Sequence, residues 1–349
     1  MLRRKSKRIK IGKVFIGANE DILVQSMLNK PSSDFDSNIL QAKSFEKKGC
    51  QILRVAIPDY NSVGLIEKLK SSVNIPIVAD IHFDYKLAIE SVNAGADKIR
   101  INPGNLGKSN LEKVVKECKQ KEVPIRIGIN SGSVEKKFLG NNVKISDSMV
   151  KSALSAIEFL ESLDFDKIVV SVKSSNVCES IDCYEKISQI CDYPLHVGIT
   201  ESGAGMYGVV KSSVGIGSIL SKGIGDTIRV SLTDDPLKEV EIGFKILKSL
   251  GLANKVEVIS CPTCGRTTVD VKFLAESVEK MTENINRKMK IAVMGCPVNG
   301  VGESENADFG ITGANGIGII FRRGQILKKV PENLLLKELE NLILEFKGE

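Results

Sequence analysis

The chain has no tryptophan, only two histidines, and an aromatic content of 5% across 349 residues. So little aromatic surface argues against a base-stacking platform for single-stranded nucleic acid. The two histidines, His82 and His196, stand far apart in sequence and form no ligand pair of helical spacing. No apolar run approaches the roughly 20 residues of a membrane-spanning helix, and the opening MLRRKSKRIK leads into no apolar signal core. A cytoplasmic protein with neither a membrane nor a nucleic acid as partner is therefore expected. A dominant charge is also missing. Lys and Arg number 49 against 43 acidic residues, and Arg3, Arg4, Lys5, Lys7, Arg8 and Lys10 account for the whole excess of +6.

What is present is one pattern repeated eight times in the first 250 residues: a short β-branched run, a polar turn, then an amphipathic stretch of helical period. The predicted strands are 23–27, 52–57, 75–83, 98–102, 124–130, 167–173, 194–201 and 227–232. Predicted helices lie between and after them at 34–48, 61–71, 84–94, 109–121, 146–163, 176–190, about 206–222 and 235–249. Eight such units suit a (β/α)8 TIM barrel, with an open doubly wound sheet as the alternative. The segment IKIGKVFIG before the first strand reads as a hairpin closing the barrel bottom. After residue 250 the pattern changes. KVEVIS, a helix at 269–281, KIAVMG, GIGII and a helix at 332–346 describe a smaller α+β domain, so the expected domains are 1–250 and 251–349.

Residues two apart on a strand share a face, and in a parallel barrel the carboxyl ends of the strands form the catalytic rim. Asp80 and His82, Arg100 and Asn102, Arg126 and Asn130, Ser171 and Lys173, and Arg229 and Ser231 each share parity, with apolar neighbours on the opposite face. Arg54 alternates likewise. Five cations, Arg54, Arg100, Arg126, Lys173 and Arg229, are thus expected to converge in the mouth, balanced internally only by Asp80 and Glu201. A polyanionic ligand is their natural complement, since guanidinium matches phosphate oxygens. His82 could bind substrate or shuttle a proton, and His196 reads as a satisfied core histidine. Gly203, Gly205 and Gly208 spell a dinucleotide fingerprint, but in the seventh unit they read better as a phosphate-facing loop.

Cysteines number eight, and three of them stand out by context. Cys261-Pro-Thr-Cys264 places two thiols on one turn, as zinc ribbons, redox pairs and iron-sulfur clusters all require. Cys296 opens a second Cys-Pro loop, and the nearest further donor is Glu303. Three thiolates with a carboxylate or an open position suit a catalytic 4Fe-4S cluster. Zinc held with Glu303 or water remains open, which leaves a non-redox TIM-barrel transferase with a structural zinc domain as the alternative function.

The motifs QSM (25–27), VADIHFDYK (78–86), RINPGN (100–105), PIRIGINSGS (124–133), SVKSS (171–175), GITESG (198–203), GIGDTIRVSL (223–232), CPTCGR (261–266) and CPVNGVGES (296–304) together resemble the 4-hydroxy-3-methylbut-2-enyl diphosphate synthase family. The resemblance implies reductive ring opening and dehydration of 2-C-methyl-D-erythritol 2,4-cyclodiphosphate, a step of isoprenoid biosynthesis. It also implies electrons from flavodoxin or ferredoxin, and a homodimer. By position it assigns Arg54, Arg100, Arg126, Asn130, Lys173, Arg229 and Ser231 to the diphosphate. It assigns Glu201 as active-site acid and Cys261, Cys264, Cys296 and Glu303 as cluster ligands. Two departures touch the site: Leu28 stands where the family pattern has Thr, and Val301 where it commonly has Pro.

Overall fold

The computed structural model describes residues 2–297, 302 and 304–346. The chain forms two compact units, residues 1–250 and 251–349. The first opens with an antiparallel hairpin, β1 (Ile9–Ile11) and β2 (Val14–Ile16). Its Ile9, Ile11 and Ile16 pack on Leu23, Ile52, Val78 and Val169, residues at or near the amino ends of four barrel strands. The predicted hairpin therefore plugs the barrel bottom.

Eight parallel strands follow: β3 (Leu23–Met27), β4 (Ile52–Ala56), β5 (Ile77–Asp80), β6 (Lys98–Ile101), β7 (Ile125–Asn130), β8 (Ile168–Lys173), β9 (His196–Val197) and β10 (Thr227–Ile228). Strands β3 to β8 pair in sequence order, β10 lies between β3 and β9, and a parallel bridge from Val170 to Leu195 closes the ring. The helices are α1 (Phe35–Lys47), α2 (Gly64–Ser72), α3 (Tyr85–Asn93), α4 (Pro103–Leu106), α5 (Lys108–Gln120), α6 (Ile145–Ser162), α7 (Val177–Ile190), α8 (Gly205–Ser221) and α9 (Leu237–Ser249). Several begin where a side chain satisfies an otherwise orphan backbone N–H: Asp34 accepts from Ser37, Asp84 from Lys86 and Asn176 from Glu179.

Three strands fall short of their predicted ranges by more than one residue. β5 stops at Asp80, and β9 and β10 keep only two residues each. The chain stays extended past them, and Arg229 N–H still donates to the Val197 carbonyl at 2.9 Å. It then turns at Glu201 (φ +52°) and Gly203 (φ +99°), which ends the β9 path. The turn α4 was not predicted; Asn102 caps it, its Oδ1 accepting from Gly104 N–H at 3.3 Å.

The basic arm folds onto the barrel. Arg3 and Arg4 approach Asp226 at 3.1 and 3.8 Å, Ser6 donates to the same carboxylate at 2.9 Å, and Leu195 N–H donates to it at 2.8 Å. Asp226 thereby anchors the chain ahead of β10.

The second unit holds β11 (Val256–Ser260), α10 (Val271–Thr282), β12 (Met289–Val293), β13 (Phe309–Ala314), β14 (Ile317–Arg322), β15 (Gln325–Pro331) and a final helix, Leu335–Glu345. Its sheet is mixed: β11, β12 and β13 are parallel, and β14 and β15 return antiparallel. The sequence suggested one strand after Cys296, where the structure has three. β13 is interrupted by Gly310 and Gly313, and β15 is an exposed edge carrying Lys328 and Lys329, so neither shows clean apolar alternation. No described helix is long and apolar enough to cross a membrane.

Candidate active site

The carboxyl ends of the barrel strands bring the predicted cations together. Arg54 on β4 meets Asp80 Oδ2 on β5 at 2.6 Å, Arg100 on β6 reaches Oδ1 at 3.3 Å, and His82 Nε2 lies 3.2 Å from Oδ2. Arg100 also donates to the Gly128 carbonyl at 3.2 Å. Glycine is needed at two places on these inner faces. A Cβ at Gly128 would stand 2.4 Å from Arg100 Nε, and one at Gly198 would stand 2.8 Å from Lys173 Nζ. The side chains that fill the mouth are thus admitted by gaps on neighbouring strands.

The electrostatics record the same convergence. Burial pushes the Lys173 amine far below its ordinary value, and Arg126, Arg229, Arg54 and Arg100 push it further. Arg126 is 1% exposed, and burial followed by Arg54 and Arg100 lowers it in the same sense. For Asp80, burial favours the neutral acid, but Arg54, the His82 hydrogen bond and Arg100 prevail and hold its carboxyl well below the usual carboxylate range. Asn102 is buried and donates to the Ser133 carbonyl at 3.4 Å. Asn130, half-buried, ends β7, and Ser231 lies half-buried past β10. His82 is 53% exposed at the rim.

Of the two carboxylates expected inside, Asp80 is there and Glu201 is not. Glu201 is exposed, in the turn after β9, so it does not balance the interior charge. That part falls to Glu239 on α9, which is buried and faces Arg229 at 3.4 Å. The sequence offered no signal for it beyond an acid in the first turn of a helix, because strand parity says nothing about side chains arriving from outside the sheet.

A second polar layer lies beneath the mouth. Lys98, on the same face of β6 as Arg100, is fully buried with no hydrogen-bond partner for Nζ among the described residues. Gln25 is likewise buried, without partners for either side-chain polar atom. His196 is only half satisfied: Nδ1 lies 2.8 Å from Thr227 Oγ1, while Nε2 has no partner among the described residues. Burial first, then Lys173, Arg126, Lys98 and Arg54, keep its imidazole neutral. Among the described residues, six cationic side chains (Arg54, Lys98, Arg100, Arg126, Lys173 and Arg229) thus meet two carboxylates, Asp80 and Glu239. Leu28 is buried and presents no polar group here.

In the second unit, Ser260 and Val293 are in register on β11 and β12, so the two Cys-Pro loops leave the same edge of the sheet. Gly295 N–H donates to Cys261 Sγ at 3.1 Å, and Thr268 binds the Gly295 carbonyl through its N–H at 2.8 Å. The Arg266 backbone N–H, then its guanidinium, lowers the pKa of the exposed Cys264 thiol, and Thr267 adds to this. Cys261 is half-buried, Cys296 buried, and all eight cysteines are free. Among the described residues no three His, Cys, Asp or Glu side chains are gathered around one point as a single ion requires. A cluster whose irons take one thiolate each asks for a looser arrangement, and soft thiols with N–H donors to sulfur fit that group. Glu303 and Val301 lie outside the described residues.

Known barrels share this architecture. Dihydropteroate synthase from Stenotrophomonas maltophilia superposes with a TM-score of 0.55 at 13% identity, covering 70% of this chain and 98% of its own. The Coxiella burnetii enzyme gives 0.53 at 15%, covering 70% and 97%. These likenesses concern the fold alone. Whole-chain relatives are far more similar. One from Caldanaerobacter subterraneus, called 4-hydroxy-3-methylbut-2-en-1-yl diphosphate synthase (flavodoxin), is 52% identical over 97% of this chain and 96% of its own length. Proteins of the same name from Bacillus pumilus and Fusobacterium nucleatum are 49% and 48% identical, covering 98% and 99% of this chain and 93% and 98% of theirs. The GcpE TIM-barrel domain matches residues 6–244 and the GcpE protein C-terminal domain residues 257–345; with both parts matched, the chain belongs to the GcpE family.

Proposed function

We propose that this chain is a 4-hydroxy-3-methylbut-2-enyl diphosphate synthase, converting 2-C-methyl-D-erythritol 2,4-cyclodiphosphate to the linear diphosphate in isoprenoid biosynthesis. The observation that carries the proposal is the barrel mouth, where cations outnumber carboxylates and press one another's proton affinities down. A diphosphate reverses that repulsion, so ligand charge and site charge each stabilise the other. Arg54, Arg100, Arg126, Lys173 and Arg229 clamp the phosphates in this reading, with Asn102, Asn130 and Ser231 adding neutral hydrogen bonds. Asp80 holds Arg54, Arg100 and His82 in place and leaves their outer N–H groups for substrate.

The conversion breaks the ring C–O bond with the oxygen kept by phosphate, takes up two electrons with protons, and expels one hydroxyl as water. A 4Fe-4S cluster held by Cys261, Cys264, Cys296 and Glu303 would supply the electrons, which no side chain can. Glu201, exposed at the rim, is assigned to protonate the departing oxygen. Flavodoxin, named in the relatives, is the proposed donor, with ferredoxin as the alternative. The active species is proposed to be a cytoplasmic homodimer, with residues 1–250 binding substrate and 251–349 the cluster.

Anaerobic reconstitution tests this directly. About four iron and four sulfide per chain, with turnover of the cyclodiphosphate by reduced flavodoxin, is the expected result. About one zinc per chain and no turnover would instead point to a non-redox transferase. Glu201→Gln should keep substrate affinity and slow product formation; unchanged turnover removes Glu201 from the acid role.

A further inference from the structure

We infer that Glu239 is a positioning residue for the diphosphate site, one carboxylate that orients Arg229 and fixes the backbone beside Ser231. The inference rests on reading the barrel mouth as that site. Glu239 reaches in from the first turn of α9 and is buried. Its Oε2 accepts from Ser26 Oγ at 2.8 Å and faces Arg229 Nε at 3.4 Å. Its Oε1 accepts from Leu232 N–H at 3.1 Å and faces Arg229 NH2 at 3.5 Å.

The carboxylate therefore lies along the Nε–NH2 edge of the guanidinium. Among the described residues the remaining terminal nitrogen, NH1, faces only Met27 Sδ at 3.6 Å, a weak acceptor that a phosphate oxygen would displace. Through Leu232 the same carboxylate holds the chain one residue past Ser231, and through Ser26 it is tied to β3. An Arg with one edge occupied loses little rotamer freedom when the other edge binds an anion.

A carboxylate beside an anion site could instead serve only to balance charge, and the two roles predict opposite signs. Neutralising a charge balancer makes the site more positive and tightens anion binding. Neutralising a positioner loosens binding although the site has gained positive charge.

The test is titration calorimetry of inorganic pyrophosphate into wild type, Glu239→Gln, Arg229→Ala and the double variant, with melting midpoints recorded. Glu239→Gln should weaken pyrophosphate about tenfold, the scale of one charge-assisted contact, and in the Arg229→Ala background its cost should shrink to about threefold or less. With cyclodiphosphate, KM should rise while kcat changes little. Equal or tighter pyrophosphate binding by a folded Glu239→Gln protein overturns the inference, as do losses that multiply in full. Glu239→Asp, which keeps the charge but shortens the reach, covers the case where the amide does not fold. It should weaken binding too, and wild-type affinity in it would be equally fatal. If wild type binds no pyrophosphate and Arg126→Ala changes nothing, the diphosphate reading itself fails and this inference falls with it.

Discussion

Arg126 shows how a residue can be expensive to bury and still belong where it is. It is enclosed in the barrel, its Nε and NH1 lack partners among the described residues, and its neighbours are mostly cations. Such a group raises the free energy of the ligand-free fold, and an anion recovers that cost on binding. Arg126→Ala is expected to weaken pyrophosphate by roughly 1.5–3 kcal/mol, about ten- to a hundredfold by calorimetry, while leaving the melting midpoint unchanged or higher. Lys98 sharpens the point, since nothing among the described residues pairs its amine. Burial, then Arg126 and Arg54, hold its pKa well below the lysine value. Between that lowered value and the ordinary one, the unfolded chain binds a proton that the folded chain does not, so stability rises with pH across the window. Lys98→Met removes this contribution. The variant should therefore be more stable than wild type at neutral pH, with the gap closing as pH approaches the ordinary lysine value in chemical denaturation. A gap independent of pH would show that Lys98 is already charged in the fold.

At the scale of elements, the hairpin and the basic arm act as fasteners at the barrel bottom. Ile11 is fully buried against strand residues from four different strands. Ile11→Ala should cost about 2–5 kcal/mol, lowering the denaturant midpoint without changing the slope. A surface appendage would lose no more than about 0.5 kcal/mol. The short strands β9 and β10 explain the fasteners. With two residues each in the ladder they contribute few strand hydrogen bonds, and Asp226, gripped by Arg3, Arg4 and Ser6, secures the junction between them through Leu195. The excess positive charge at the start of the sequence is thus partly structural. Neither contact is local, which is why the arm's composition alone says nothing of its destination.

At the scale of the molecule, a barrel carrying unpaired buried cations should respond strongly to anions that fit it. Pyrophosphate at a hundred times its dissociation constant adds about 2.7 kcal/mol, which for a chain of this size raises the melting midpoint by about 4 °C. Chloride at matched ionic strength should do far less, because screening acts weakly on enclosed charges. Equal shifts with both salts would mean the cations face bulk solvent.

The eightfold strand-helix alternation made the barrel legible, because the periods of 2 and 3.6 are local properties of the chain and persist through any packing. Strand parity likewise puts Arg54, Arg100, Arg126, Lys173 and Arg229 on one face, since neighbouring Cβ atoms must alternate. The cysteine loops announced themselves by spacing. Which acids meet those cations was another matter. Glu201 shares the strand-end pattern yet sits in solvent, whereas Glu239 arrives from a helix whose sequence gives no direction inward. Among the described residues, the partnerless Lys98 Nζ and His196 Nε2, and the room that Gly128 and Gly198 leave for their neighbours' charges, are relations between separate strands. Those relations exist only once the ring has closed, because proximity across a barrel depends on shear and register, which no single segment encodes.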